Sequence, residues 1–459
     1  MVVAEGVLTG SGSRPARFAV LPGTMSLPEV TDILDLVNSS STPTFDVDAD
    51  SVDGLPTFEF FVEDVPKQLE KGTIKLDIDP AVISQRKPLR EALKSRIHKV
   101  LKERVTPLVH ARYPEACAIS GRECRPCHTL IRRYRPDERR SHASHHDGQA
   151  LVTVVISLSD YGIEYRGGYY VNTGHGGGGR RVLGLNRGDA VVHQSDLLHG
   201  VKVEGGERWS LVVWYRDSST CEDHGPEWFS KCAKDGDATC QQMYSTKVGM
   251  SNDPTDPAAN VLRWIKRAAE GGNTIAMVKL GRAYLKRLPS SLSFKPAVAA
   301  IWFRLAVQMN EEPDAHYHLA QMLLDGQITA PYGGDAAAEA VRHFEEAAGR
   351  DHSFAAFNLG VAHLYGFGLQ RCNQDLASEW FQASGLPEGF IAVSLYHAAH
   401  GNEAEKRRWE DHANRLGFGT DWRRKAREQT GTGGSTGVDL HSNWPTRPGS
   451  GDPRPPRWF

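Results

Sequence analysis

The stretch SHASHHDG places His142, His145, His146 and Asp147 within six positions. Imidazole nitrogen and carboxylate oxygen are the donors that most often hold divalent metals in proteins. Residues i and i+2 of a β-strand share a face, so a strand here puts His145 and Asp147 together and turns His146 away. That pair offers one neutral nitrogen and one anionic oxygen, and a third ligand has to come from elsewhere. The candidate is His199 in VVHQSDLLHGV, which follows an apolar turn just before a further strand pattern. A rival pair, His142 with His146 at helical i,i+4 spacing, needs a helix in a segment full of Arg, Ser and Gly. His142, His146 and His193 are read as packing or surface residues around the site.

Two histidines and a carboxylate on one face of an ion form a facial triad, the ligand set of non-haem Fe(II) oxygenases, and leave three positions open. A 2-oxoglutarate cosubstrate fills two of them and dioxygen the third. The distal carboxylate of the cosubstrate then needs a fixed cation. Arg208 lies nine residues after His199 in GERWSLVVWYR. A turn and a short strand carry it back beneath the metal, and its planar fork suits a carboxylate better than an ammonium does.

The elements that must position these groups are β-rich. From Cys127 to Trp214, HTLIRRY, ALVTVVISLSD, GGYYVNTG, RRVLGL, GDAVVHQ and RWSLVVWYR are short strand patterns divided by Gly, Asp and Asn. This is the texture of an antiparallel sandwich or barrel. The Gly-rich GHGGGGRR reads as a hairpin tip, because no Lys-Ser/Thr and no helix pattern follow it. Upstream, residues 90–113 place Leu93, Ile97, Val100, Leu101, Val105 and Leu108 at helical spacing, with Pro107 expected to kink or end that supporting helix. Residues 1–20 read as a flexible lead-in. The seven cysteines, an odd number in a long chain, do not suggest a disulfide framework. Cys124 and Cys127 lead into a strand or form half a zinc site, and Cys232 and Cys240 stand as buried thiols at small-residue positions. RRYRPDERR reads as a solvated rim.

Beyond Tyr215 the strand patterns stop and a helical repeat begins. EWFSKCAKDGD, RWIKRAAEGGN, IWFRLAVQMNE, RHFEEAAGRDH and EWFQASGLPEG stack on Trp228, Trp264, Trp302, His343 and Trp380, at steps of 36, 38, 41 and 37 residues. Such a period with helix-turn-helix units means a solenoid, each unit covering the apolar face of the next. Residues 224–417 resemble the Sel1-like repeats, relatives of the tetratricopeptide repeats. The resemblance implies a scaffold that binds a protein partner. The tail from 430 to 459 is Gly/Pro-rich and reads as disordered.

The β-rich segment also resembles a family. IRRYRPDERRSHASHHDG, LVTVVISLSD, YRGGYY, LNRGDAVVHQSDLLHGV and GERWSLVVWYR look, in that order, like the prolyl 4-hydroxylase-type branch of the Fe(II)/2-oxoglutarate-dependent dioxygenases. The resemblance covers about residues 120–216. It implies that His145, Asp147 and His199 ligate iron, that Arg208 holds the distal carboxylate of 2-oxoglutarate, and that Tyr134 and Thr153 line the cosubstrate pocket. It also implies O2 as the oxidant, with ascorbate to keep the iron reduced. One departure stands out: many members carry a Tyr on the strand after the H-x-D, where this chain has Ser157.

The expected architecture is a multidomain α+β chain. An N-terminal double-stranded β-helix (jelly-roll) with supporting helices spans residues 21–216, and an all-α Sel1-like solenoid follows. The expected activity is hydroxylation, of a prolyl residue in a protein or peptide recruited by the repeats. A different residue, a small molecule, or an inactive oxygenase fold in an adaptor are the alternatives. Hydrophobic residues make up 40% of 459, and 54 basic residues nearly balance 56 acidic ones. That balance gives no reason to expect nucleic acid or a membrane surface as partner. No apolar run is long enough to span a bilayer and no signal peptide is visible, so the expected location is intracellular, cytoplasmic or nuclear.

Overall fold

In a computed structural model, the described residues are 4–9, 15–39, 46–49, 56–62, 80–117, 123–135, 138–172, 180–217, 221, 227–250, 257–286, 292–310 and 312–416. The tail at 430–459 and most of the Gly-rich hairpin tip lie outside them. The chain divides into two units, the boundary falling just after residue 250.

Among the described residues the first unit holds twelve strands: β1 (Ala4–Thr9), β2 (Pro15–Leu21), β3 (Asp46–Ala49), β4 (Pro56–Phe61), β5 (Arg125–Tyr134), β6 (Ser141–His145), β7 (Val152–Ser157), β8 (Tyr165–Asn172), β9 (Arg180–Val182), β10 (Ala190–Gln194), β11 (His199–Gly206) and β12 (Arg208–Arg216). Eight form one sheet in the order β1-β2-β10-β7-β12-β5-β4-β3, and four form another, β6-β11-β8-β9. Neighbours from β1 to β4 in the first sheet, and throughout the second, run antiparallel. Among the described residues no strand joins one sheet to the other, so a closed jelly-roll barrel is not seen. β1 and β2 occupy most of the span expected to be a loose lead-in.

Period-two alternation sorts the large sheet between two cores. Leu211, Val213 and Tyr215 of β12, Val152, Val154 and Ile156 of β7, and Ala190 and Val192 of β10 face one core. Val212, Val155 and Val191, the residues between them, face the other, where Tyr165, Tyr169, Val171, Val201 and Val203 of the small sheet meet them. The sheet faces helices on one side and the small sheet on the other.

The helical layer is α1 (Leu27–Asn38), α2 (Pro80–Val100), α3 (Thr106–Arg112) and α4 (Pro114–Cys117). α1 starts where the Ser26 hydroxyl and backbone N–H both donate to Glu29 Oε2 at 2.8 Å. Leu93, Ile97, Val100, Leu101 and Val105 are buried as their spacing predicts, and Leu108 is partly so. The run continues to Arg112 and is not ended by Pro107. A π-helical turn at Leu101–Val105 widens the spiral just ahead of it, and the Thr106 N–H donates to Leu101 C=O. The layer is pinned to the sheet by Tyr113, whose hydroxyl donates to Val192 C=O at 2.9 Å. α5 (Glu227–Lys234) and α6 (Ala238–Met250) join this unit too, through Trp228, Phe229 and Met243.

Six cysteines pair, contrary to the expectation of free thiols. Disulfides join Cys117 to Cys124, Cys127 to Cys221 and Cys232 to Cys240. Cys372 alone remains free, which is why the total is odd. The Cys127–Cys221 bond spans a sequence separation of 94. Closing a loop of that size removes about 4–5 kcal/mol of chain entropy from the unfolded state.

The second unit is helical: α7 (Pro257–Glu270), α8 (Thr274–Lys286), α9 (Pro296–Asn310), α10 (Pro313–Leu324), α11 (Ala336–Gly349), α12 (Ser353–Tyr365), α13 (Gln374–Ala383), α14 (Pro387–Ala399) and α15 (Glu403–Arg415). In each aromatic pair of the middle repeats, the second member is the buried one: Phe303, Phe344 and Phe381 are all fully enclosed. The small residues of the repeat make room for them. A Cβ added at Gly360 would sit 2.6 Å from a Phe381 ring carbon. No helix of the described residues is long and apolar enough to cross a membrane.

Two measurements check these packing statements. Thiol titration of the unfolded, unreduced chain should find one reactive thiol, and seven after reduction; seven without reductant would refute the pairing. Gly360→Ala should lower stability by about 1–3 kcal/mol through overpacking against Phe381, read as an earlier unfolding transition of the repeats.

Candidate metal and carboxylate site

The register of the small sheet creates the site. His199, at the start of β11, lies directly across from His145, at the end of β6. Their rings are 4.4 Å apart. Asp147 arrives by a different route from the one strand periodicity predicts. β6 ends at His145, and a turn closed by Gly148 N–H to His146 C=O and Ala150 N–H to Asp147 C=O swings the carboxylate back beside the imidazoles. The distances from His145 Nε2 to Asp147 Oδ1 and from His199 Nε2 to Asp147 Oδ2 are 3.3 and 3.7 Å. One donor atom from each of the three residues falls within a 4.8 Å span. Bonds of about 2.0–2.2 Å to one ion would set adjacent donors roughly 3 Å apart, so the spacing suits a shared cation.

Each donor is aimed by a second contact. The His145 Nδ1–H is placed to donate to Ala143 C=O at 2.8 Å, and the His199 Nδ1–H to Leu197 C=O at 2.9 Å. Both bonds reach back two residues, and both leave Nε2 as the free electron pair. Thr153 donates its hydroxyl to Asp147 Oδ2 at 2.5 Å, and Gln149 Nε2 approaches Oδ1 at 3.4 Å. Thr153 thus faces the carboxylate of the triad, although its expected contact was with a cosubstrate.

Electrostatics favour the same use. Burial pushes the His199 imidazole well below its ordinary pKa, and His193 pushes the same way against the pull of Asp147. Burial works to raise the Asp147 carboxyl, yet the surrounding His199 and His145 hold it well below the usual carboxylate range. At neutral pH the three groups present an anionic oxygen and a neutral His199 nitrogen to a common point, which is the state a cation requires.

Arg208 lies in the same cavity, with Tyr134, Thr153 and Tyr169. It is 1% exposed, and its guanidinium sits 5.9 and 5.8 Å from the ring centres of Tyr134 and Tyr165. Its Nη1 reaches Ser210 Oγ at 3.3 Å, while Nε and Nη2 meet no protein acceptor. The Tyr134 hydroxyl is buried and equally unmet. Two parallel N–H donors without partners in a buried pocket match the two oxygens of a carboxylate.

Of the other histidines, His142 is buried against His145, 4.2 Å between rings, and lines the cavity. His193 is fully buried beside the triad, its Nδ1 on Gln194 C=O at 2.8 Å. His146, just past the end of β6, is absent from the lining. Residues that spacing did not single out are Gln149 and Tyr169. The signal for Tyr169 was available: in YRGGYYV, period two from Tyr165 leads to it on the face that meets the large sheet.

Comparison with known proteins matches the Sel1 repeat family over residues 274–311, 313–352 and 353–385. No curated protein matches the chain. Among solved structures it is similar to a protective antigen of uropathogenic Escherichia coli displaying an SLR fold, at 24% identity and a TM-score of 0.36, over 42% of this chain and 41% of that one. The chain therefore spans less than half the length of that protein. It is also similar to a 2OG-Fe(II) oxygenase family protein from Burkholderia pseudomallei, at 17% identity and a TM-score of 0.30, over 44% of this chain and 86% of that one. A prolyl-4-hydroxylase from Pseudomonas putida is similar at 13% identity and a TM-score of 0.25, over 44% and 93%. Likenesses this distant assign no chemistry, which is read from the side chains of the first unit. The helices from 274 to 385 are Sel1 repeats.

Proposed function

We infer that the first unit is a double-stranded β-helix dioxygenase that uses Fe(II) and 2-oxoglutarate. The observation that carries this reading is the pairing, in one cavity, of a convergent His-Asp-His set with a buried arginine fork that has no acceptor. His145, Asp147 and His199 hold the iron, and Arg208 with Tyr134 holds the distal carboxylate. When bound, iron with 2-oxoglutarate and dioxygen supplies the oxidising chemistry: succinate and carbon dioxide leave, and one oxygen atom enters a substrate C–H bond.

The chain's own residues bind, orient and exclude water. Thr153 and the Ala143 and Leu197 carbonyls keep the ligand atoms aimed. Val155, Val201 and Val212 supply apolar wall to the cavity. Gln149, which reaches Asp147, and Trp214 also line the cavity. The substrate is a prolyl residue in a protein or peptide, on the strength of the ordered motifs from Tyr134 to Arg208, and the Sel1 repeats recruit or scaffold it. Ascorbate keeps the iron reduced. The three cystines favour folding in an oxidising compartment rather than in the cytoplasm or nucleus.

Three outcomes test this. The full chain with Fe(II) should release succinate from 2-oxoglutarate, and His199→Ala should fall to background; equal background turnover in both defeats the enzyme reading. Thr153→Val should weaken Mn(II) binding about tenfold to a hundredfold by calorimetry, because Asp147 loses its hydroxyl partner. Mass spectrometry of proteins incubated with the active chain should show a gain of one oxygen on proline; gain on another residue would keep the reaction and change the substrate.

A further inference from the structure

Ser157 stands where the resemblance leads one to expect a phenol, and it does not face the ligand. Its hydroxyl is buried and donates to Ser159 C=O at 2.8 Å, and it is absent from the cavity lining. A different phenol enters the cavity from the opposite sheet. Tyr169 of β8 stacks on His199, with ring centres 5.4 Å apart and planes 18° from parallel. Its hydroxyl is buried and meets no acceptor. Tyr169 shares the cavity with both the triad and Arg208.

β8 comes close to Arg208 at the residue before Tyr169. Gly168 has φ +106°, and a Cβ there would lie 2.6 Å from the Tyr165 ring and 3.6 Å from Arg208 Cδ. Glycine takes this backbone conformation without strain and leaves the Tyr165 ring its place beside the strand, which continues to Tyr169. An unmet buried O–H is costly unless a ligand completes it. Tyr169 and Tyr134 are the two such hydroxyls beside the open fork of Arg208.

We propose that Tyr169 donates its hydroxyl to the carboxylate cosubstrate held by Arg208, and so supplies from β8 the phenol that Ser157 does not. This rests on the 2-oxoglutarate reading above. Tyr169 is a binding and positioning residue, and its ring keeps a separate packing role against His199.

The test is calorimetric titration of the full, Mn(II)-loaded chain with 2-oxoglutarate, comparing wild type, Tyr169→Phe and Tyr170→Phe. Tyr169→Phe keeps the stacked ring and removes the donor, so the Kd for 2-oxoglutarate should rise about tenfold to a hundredfold while the Kd for Mn(II) stays unchanged. Tyr170→Phe removes the neighbouring hydroxyl, which meets Ser144 at 3.1 Å, and should leave both constants alone. Unchanged 2-oxoglutarate affinity in Tyr169→Phe overturns the proposal and leaves the dioxygenase reading standing. Equal loss of Mn(II) affinity overturns it too, since Tyr169 would then act only through His199. A wild-type chain that binds Mn(II) but not 2-oxoglutarate defeats the parent reading and this one with it.

Discussion

A buried guanidinium with two unmet nitrogens is a costly arrangement, and the cavity of the first unit is built around one, Arg208. Taking a charge out of water costs several kcal/mol unless something compensates. At Arg208 the protein supplies two aromatic rings and one serine hydroxyl, then stops. The other two nitrogens, Nε and Nη2, meet no protein acceptor. Around them stand two phenols whose hydroxyls are also unmet, Gly168 with its missing Cβ, and three valines of the cavity wall.

The triad solves a different problem with cheap parts. Two histidines meet because an antiparallel register sets them opposite each other, and each is locked by a carbonyl two residues back. Asp147 is delivered by a turn and then clamped by Thr153. No long-range salt bridge is needed. The positions of His145, Asp147, Thr153 and His199 follow from main-chain geometry in β6, the turn after it, β7 and β11, and the large sheet that carries β7 is packed on both faces.

Much of this was legible in the sequence, and the failures have physical causes. Histidine and aspartate in an H-x-D, with His199 and Arg208 at fitting distances beyond it, marked the site because ligand chemistry restricts residue type strongly. Alternation in β7, β10 and β12 marked strands, and the period near 38 marked the repeats. The turn that carries Asp147 was misread as strand because both bring i and i+2 together. The disulfides were missed because pairing depends on proximity in space, and one unpaired cysteine disguised an even framework. β1 and β2 were overlooked because Gly and Ser crowd the segment before Phe18, although Phe18 to Leu21 alternates between the two cores. Tyr169 escaped notice because a tyrosine in a strand is usually packing, and only its unmet hydroxyl separates it from Tyr165, which donates to Leu185 C=O.

The Cys127–Cys221 bond has a further meaning for this arrangement. Tyr134, His145, Asp147, Thr153, Tyr169, His199 and Arg208 all lie between its two ends. The whole site is therefore written on a covalent ring. A single backbone cut anywhere inside that ring, including in the Gly-rich connection between β8 and β9, would open the circle without separating any ligand from the rest. The half-sites would remain tethered through sulfur, and a nicked chain could keep its four polar anchors in one body. The site owes its cohesion to topology as well as to packing.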